Sequence, residues 1–277
     1  MFRFFKRLLL GRPTMTDDDE DDDESGEWVE DHDHLPPYTP SLPEGMRVYA
    51  IGDIHGRADL LRQLHGMIRA DWADLPGSVR RVVIYLGDYV DRGEDSKGVI
   101  DILLDEPLTG CETIYLKGNH EAEMEDFLVN PVGGHGWPQY GGMAMALSYQ
   151  VRVPGRISAD ERMRELRDRL LEAMPATHQA FFTGLRFRHE IGDYFFCHAG
   201  VRPGVPLNRQ TPPDLLWIRD PFLFYPGRFE KMIVHGHTVM ATPMTTSNRI
   251  SIDTGAYHSG HLTCLVLEGE SQRFLMT

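Results

Sequence analysis

The chain is short of cysteine, short of basic residues and without a long apolar run, and each shortage removes a class of protein. Its three cysteines, Cys111, Cys197 and Cys264, stand far apart with no Cys-x-x-Cys pair. They make no disulfide framework and fit a reducing, cytoplasmic compartment. No stretch approaches the ~20 apolar residues of a spanning helix. The opening Met1-Phe2-Arg3-Phe4-Phe5-Lys6-Arg7 leads into too short an apolar stretch for a secretory signal, and no small-residue cleavage site follows. Over residues 1–12 its basic and aromatic side chains leave room for no more than weak contact with an anionic membrane surface. Lys and Arg number 28 against 42 Asp and Glu, a formal charge of −14. That balance argues against a broad basic face, so no nucleic-acid partner is expected. No repeat at a solenoid period is visible, and oligomeric state leaves no mark.

The charge is unevenly spread. Residues 1–46 hold four Lys/Arg and thirteen Asp/Glu, with eight consecutive acids from Asp17 to Glu24. Self-repulsion and missing apolar side chains keep such a block unfolded. The expected organisation is therefore a disordered tail over 1–45 (a basic and apolar stub, the acidic run and a proline-containing linker) followed by a catalytic domain over 46–277. At 41% apolar residues the chain has material for a sizeable core. Arg47–Ile51, Arg81–Leu86 and Thr113–Leu116 read as buried strands. Helical spacing recurs over Ala58–Trp72 and Ser96–Leu104. A helical insert is expected near 130–185, with Ser158 capping a helix from Ala159 to Met174. Further strands read at Tyr194–Cys197, Met232–Val234, Arg249–Ile252 and Leu262–Leu267. Alternating strands and helices, then a strand-rich half, predict an α/β protein with helices on both sides of its sheet.

What distinguishes the chain is where its polar residues fall. Five apolar strands each end in a short glycine-bearing loop: Gly52-Asp53-Ile54-His55-Gly56, Gly87-Asp88-Tyr89-Val90-Asp91-Arg92-Gly93, Gly118-Asn119-His120-Glu121, His198-Ala199-Gly200 and His235-Gly236-His237-Thr238. Strand carboxyl ends are where an α/β sheet places ligands. Asp53, His55, Asp88, Asn119, His198 and His237, with His120, Asp91 and Arg92 beside them, form a carboxylate, imidazole and amide set without thiolate. It suits two divalent cations, with Mn expected and Fe, Zn or Mg compatible. One such loop is ordinary turn chemistry; five in order are not.

These five motifs together resemble the phosphoprotein phosphatase family of calcineurin-like metallophosphoesterases, nearest to the bacterial and bacteriophage serine/threonine phosphatases, from about Arg47 to Leu267. The resemblance implies a four-layer αββα sandwich with a dinuclear metal site at strand carboxyl ends. It implies that Asp53 and His55 hold the first metal, that Asp88 bridges, and that Asn119, His198 and His237 complete the second. His120 resembles the family's general acid, oriented by Asp91. Arg92 resembles a phosphate-binding arginine, and Arg219 in Leu216-Trp217-Ile218-Arg219 is the candidate for a second. Glu121 would position its loop, His235 would pack on its strand, and Cys197 would be buried and inert.

The function so implied is hydrolysis of a phosphomonoester by a hydroxide shared between the metals, with a phosphoprotein or phosphopeptide as substrate. A dinucleoside polyphosphate hydrolase is the alternative. Asp91, where those hydrolases usually show alanine, and Glu121, where they show aspartate, lean to the phosphatase. The acidic body counts against a nuclease, and the complete ligand set against an inactive scaffold.

Overall fold

The computed structural model describes residues 38–133, 136–153, 155 and 157–277. The basic stub, the acidic run and most of the proline-containing linker lie outside the described residues. From Thr39 to Thr277 the chain forms one compact unit. In chain order its elements are β1 (Met46–Ile51), α1 (Ala58–Trp72), β2 (Arg80–Tyr85), α2 (Ser96–Asp105), β3 (Glu112–Tyr115) and α3 (Asn119–Val129). A wide helical turn, Pro138–Gly142, leads into α4 (Met143–Ser148), α5 (Ala159–Ala173) and α6 (Ala176–Thr183). The second half holds β4 (Arg188–Ile191), β5 (Tyr194–Cys197), α7 (Pro212–Trp217), α8 (Asp220–Leu223), β6 (Met232–His235), β7 (Met244–Thr245), β8 (Arg249–Ser251), α9 (Ala256–Ser259), β9 (Thr263–Glu268) and β10 (Ser271–Met276).

Two five-stranded sheets result, ordered β10-β9-β1-β2-β3 and β4-β5-β6-β8-β7. Alternation along each strand sorts the side chains into layers. Val48, Ala50, Val82 and Ile84 of the first sheet meet Tyr194, Phe196, Val234 and Ile250 of the second. The intervening Tyr49, Ile51, Val83 and Tyr85 turn outward onto Leu61 and Leu64 of α1 and Val99 and Ile100 of α2. On the far side Phe195, Cys197 and Ile233 pack on Leu215 of α7 and Phe222 of α8. Helix, sheet, sheet and helix follow one another, so the fold is the expected αββα sandwich.

The unit starts before the boundary expected at Met46. Leu42 is buried and its N–H donates to the Gly269 carbonyl at 2.9 Å, while the Ser41 N–H and hydroxyl donate to the Asp193 carboxylate. The Tyr194 hydroxyl donates to the Pro40 carbonyl at 3.1 Å. The last residues of the proline-containing stretch are thus part of the body, held by the β4–β5 turn and the β9–β10 turn. The helix expected after Ser158 runs from Ala159, with the Ser158 hydroxyl and the Glu161 carboxylate capping each other's backbone N–H groups.

Candidate metal centre

In each sheet three strands run parallel: β1, β2 and β3 in the first, and β5, β6 and β8 in the second. Their carboxyl ends carry Asp53 with His55, Asp88, Asn119, His198, His237 and Asp253, so every chemistry-bearing loop faces one edge of the sandwich. The loops interlock closely. A Cβ on Gly93 would overlap the His55 carbonyl, and one on Gly236 would overlap the Asp53 carboxylate, so both positions require glycine. His55, Asp88, Asp91, Arg92 and His237 all sit at positive φ, between 45° and 71°. Such backbone costs about 1–3 kcal/mol per residue and persists only where its surroundings fix it.

Asp88 is the hub. Its Oδ2 lies 3.3 Å from His55 Nε2, 3.6 Å from His198 Nε2 and 4.0 Å from His120 Nε2. Its Oδ1 accepts the His120 backbone N–H at 3.0 Å. Two ligand-type triplets share it: His55, Asp88 and His120, and Asp88, His198 and His237. Asn119 joins the second through Oδ1, 2.8 Å from both His198 Nε2 and His237 Nδ1. Asp53 lies outside both triplets. Its Oδ2 accepts the His237 backbone N–H at 3.0 Å, and its Oδ1 is buried with no partner.

These atoms fit divalent cations. Burial holds the His198 imidazole below its ordinary value and therefore neutral, and its Nδ1 faces the Leu86 carbonyl at 3.1 Å. The single N–H donates there, which leaves the Nε2 lone pair turned toward the oxygens of Asn119 and Asp88. The His55 ring has the same hydrogen-bond geometry, with Nδ1 2.8 Å from the Val90 carbonyl and Nε2 3.3 Å from Asp88 Oδ2. The Nε2 of His237 is buried and unpartnered like Asp53 Oδ1, and burial with the nearby His198 pushes that imidazole down to about 2. Burial and the charges of Asp253 and Asp88 push the Asp53 carboxyl well above the usual carboxylate range. Lone pairs face one another across a buried, anionic space, which is the arrangement a cation resolves.

His120 has a different second partner. Its Nδ1 lies 2.7 Å from Asp91 Oδ2, which also accepts the Trp137 indole N–H at 2.9 Å. Burial pushes the Asp91 carboxyl up and the His120 imidazole down. Glu121 acts as a staple: its carboxylate accepts the backbone N–H groups of Asp88, Tyr89, Val90 and Gly118, tying the β2 and β3 loops together. His235 is packed, with Nε2 on the Ser251 hydroxyl and burial pushing it down to about 3. Cys197 is buried and its thiol is pushed up. Arg92 and Arg219 are both exposed at the rim. The Arg92 charge acts on Asp53, Asp91 and His120, and that of Arg219 on His237.

Sequence reasoning missed two residues here. Asp253 is buried, accepts the Gly255 N–H at 2.8 Å and feels the charges of His55, Asp88 and His198. Its signal was available, because Ile250-Ser251-Ile252-Asp253-Thr254-Gly255 is a sixth apolar strand ending in an acid and a glycine. Trp137, fully buried in the insert, carried no signal separating it from core.

The fold and this edge define a metallophosphoesterase, an enzyme class that places two metal ions between paired sheets. The chain belongs to the calcineurin-like phosphoesterase family, whose model matches residues 46–264. An asymmetrical bis(5'-nucleosyl)-tetraphosphatase PrpE of Bacillus thuringiensis (strain Al Hakam) is 26% identical over 241 residues, spanning 79% of this chain and 90% of its own. The protein of the same name from Bacillus mycoides (strain KBAB4) is 25% identical over 240 residues with the same coverage. A crystallised chain provisionally assigned as a diadenosine tetraphosphatase shares the fold, with a TM-score of 0.55 at 19% identity over 87% of this chain and 96% of its own. Among the described residues no helix is long and apolar enough to cross a membrane.

Proposed function

We propose that this phosphoesterase hydrolyses dinucleoside polyphosphates, cleaving a phosphoanhydride of a substrate such as diadenosine tetraphosphate. The observation that carries the reading is the likeness to bis(5'-nucleosyl)-tetraphosphatases over 79% of the chain. The two positions that leaned toward a protein phosphatase do not oppose it. Asp91 and Glu121 are both fully buried, committed to His120 and to backbone amides. Neither reaches a substrate, so neither selects one.

Asp53, His55, Asp88, Asn119, His198 and His237 are the residues we assign to the metals, with Asp88 shared. When bound, the two cations supply an activated water and offset charge on the phosphoryl oxygens. The chain's own side chains do the rest. The guanidinium groups of Arg92 and Arg219 flank the cluster from exposed positions and match phosphoryl oxygens in pairs. His120, with Nδ1 held by Asp91, presents Nε2 toward the cluster and donates a proton to the departing oxygen. A nucleotide leaving group is far less basic than an alkoxide and needs less of that help. Manganese-loaded protein assayed side by side on diadenosine tetraphosphate and on phosphoserine peptides tests the reading. Nucleotide products at higher kcat/KM are expected; turnover of the peptides with none of the dinucleotide refutes it and restores the phosphatase.

A further inference from the structure

Two large aromatic side chains break the surface beside the candidate metal centre, and each belongs to a different half of it. Tyr257, in α9, is 37% exposed, with its ring centroid 5.5 Å from that of His55. Trp217, the last residue of α7, is 43% exposed and edge-on to His237 at 6.3 Å. His55 and His237 fall in the two different triplets, which have Asp88 alone in common. The rings therefore stand on opposite flanks of one cluster. Each also has an arginine. The Arg92 guanidinium lies 5.0 Å over the Tyr257 ring, and Arg219, two residues beyond Trp217, acts on the same His237 that Trp217 touches.

Ordinary packing does not account for exposed rings in these places, because neither closes a core cluster. Aromatic, arginine, metal-type cluster, arginine, aromatic is the order of chemistry along a molecule with a base at each end and phosphates between. Beside Tyr257 opens a cleft of about 570 Å³, lined by Arg57, Arg62 and Arg92 and by Asp59, Glu94 and Asp95. That volume suits a small-molecule site. Its charges balance, and the Arg57 guanidinium is already taken by Asp59 and the Ala256 carbonyl. Arg62 is taken by Glu106. The cleft is thus poor for a phosphate chain and suited to a neutral nucleoside, whose ribose hydroxyls and base amino groups find carboxylate acceptors.

We infer that Tyr257 and Trp217 are twin stacking platforms for the two bases of a dinucleoside polyphosphate, with one nucleoside in the Tyr257 cleft and the phosphates spanning Arg92 to Arg219. This rests on the proposed function and adds the residues that recognise its substrate.

The test is equilibrium binding to the metal-loaded protein, run beside turnover of diadenosine tetraphosphate. The probe is a diadenosine tetraphosphate analogue with methylene in place of all three bridging oxygens, so that no phosphoanhydride is left to cleave. Tyr257→Ala and Trp217→Ala should each weaken binding about 5-fold or more, the loss set by one base stack. The double variant should lose the product of the two, and Tyr257→Phe and Trp217→Phe should retain most of the affinity. Adenosine 5'-tetraphosphate, with one base, should respond to one alanine substitution and not the other. If the alanine variants bind the dinucleotide as the wild type does, the platforms are refuted whatever the enzyme hydrolyses. They are refuted too if phosphopeptide affinity falls by the same factor, since the rings would then serve no base. Tight binding lost in the variants, with no wild-type turnover, would sustain the platforms and overturn the proposed function. No wild-type binding overturns both.

Discussion

Glu121→Gln separates two accounts of a fully buried carboxyl in the site. Burial and the neighbouring Asp88 push this carboxyl up to about 8, which favours a proton at neutral pH. The hydrogen bonds favour the anion. Oε2 accepts from the Asp88 and Gly118 N–H groups, both at 2.9 Å, and Oε1 from those of Tyr89 and Val90 at 2.8 and 3.3 Å. All four partners are donors, so a proton on either oxygen has no acceptor. Glutamine preserves shape and one oxygen but turns an amide NH2 toward two N–H groups. Two hydrogen bonds to a charged group are then lost, at roughly 1.5–3 kcal/mol each, giving about 3–6 kcal/mol in all. That is a large part of the ~5–15 kcal/mol of an ordinary domain. Even the lower figure lowers Tm by about 6–12 °C at this size. The assay is urea and thermal unfolding of both proteins at pH 7, with metal content beside it, because the staple also sets Asp88. A variant within about 1 kcal/mol of wild type, with full metal content, would show that the carboxyl is already neutral and that the four amides do not depend on its charge.

Four further outcomes are expected. Asp88→Asn should remove more than one metal per chain by elemental analysis, since it alone belongs to both triplets; two ions kept at wild-type occupancy sink the bridging role. His120→Asn should keep both metals and lose far more rate on phosphoserine peptide than on p-nitrophenyl phosphate or a dinucleotide, whose leaving groups are less basic; equal losses exclude a proton donor. His65 is buried against the Tyr85 hydroxyl and pushed down to about 4, mainly by burial. Below pH 6.5 the unfolded chain takes up a proton that the native state refuses, so this contribution is complete above 6.5 and about 3 kcal/mol of it is lost by pH 4; His65→Gln should flatten the acid limb of the denaturation profile, and an unchanged limb rules the residue out. Finally, a chain beginning at Tyr38 should melt like the full one, whereas one beginning at Met46 loses the buried Leu42 and the Ser41–Asp193 contacts and should be about 2–4 kcal/mol less stable; equal melting of the two would return the boundary to Met46.

How far the sequence could be read depended on which physical signal each part emits. Buried parallel strands are apolar runs of fixed length, so β1, β2, β5 and β6 were visible. Edge strands β4 and β10 are half-exposed and carry runs of polar residues, as in Arg188-His189-Glu190-Ile191, and merged with the loops. The site was legible where a ligand type follows a strand and a glycine. It was illegible where the partner comes from afar, as with Trp137 on Asp91. The positive φ angles of His55, Asp88, Asp91, Arg92 and His237 leave only a faint sequence signature, the enrichment of Asp and His among the few non-glycine residues that adopt them. They show that the loops are held in costly conformations by neighbours such as the Glu121 staple, which only the folded chain brings into place.

Substrate choice was the hardest part to read, and burial explains why. Asp91 and Glu121 lie inside motifs that sequence comparison weighs heavily, yet both have no exposed surface, so they tune the centre without touching what enters it. Apart from His120 and the metal-holding residues, the side chains we propose to meet a substrate are exposed ones: Arg92, Tyr257, Trp217 and Arg219. Three of these lie outside the five motif loops, on α7, just after it, and on α9, where the sequence shows aromatics and an arginine of kinds found on any surface. Chemistry shared by the whole family is thus written in short, regular loops, whereas on the proposed reading the choice between a nucleotide and a peptide falls to the rim. There, meaning comes from distance to the histidines, a quantity the linear order of residues does not carry.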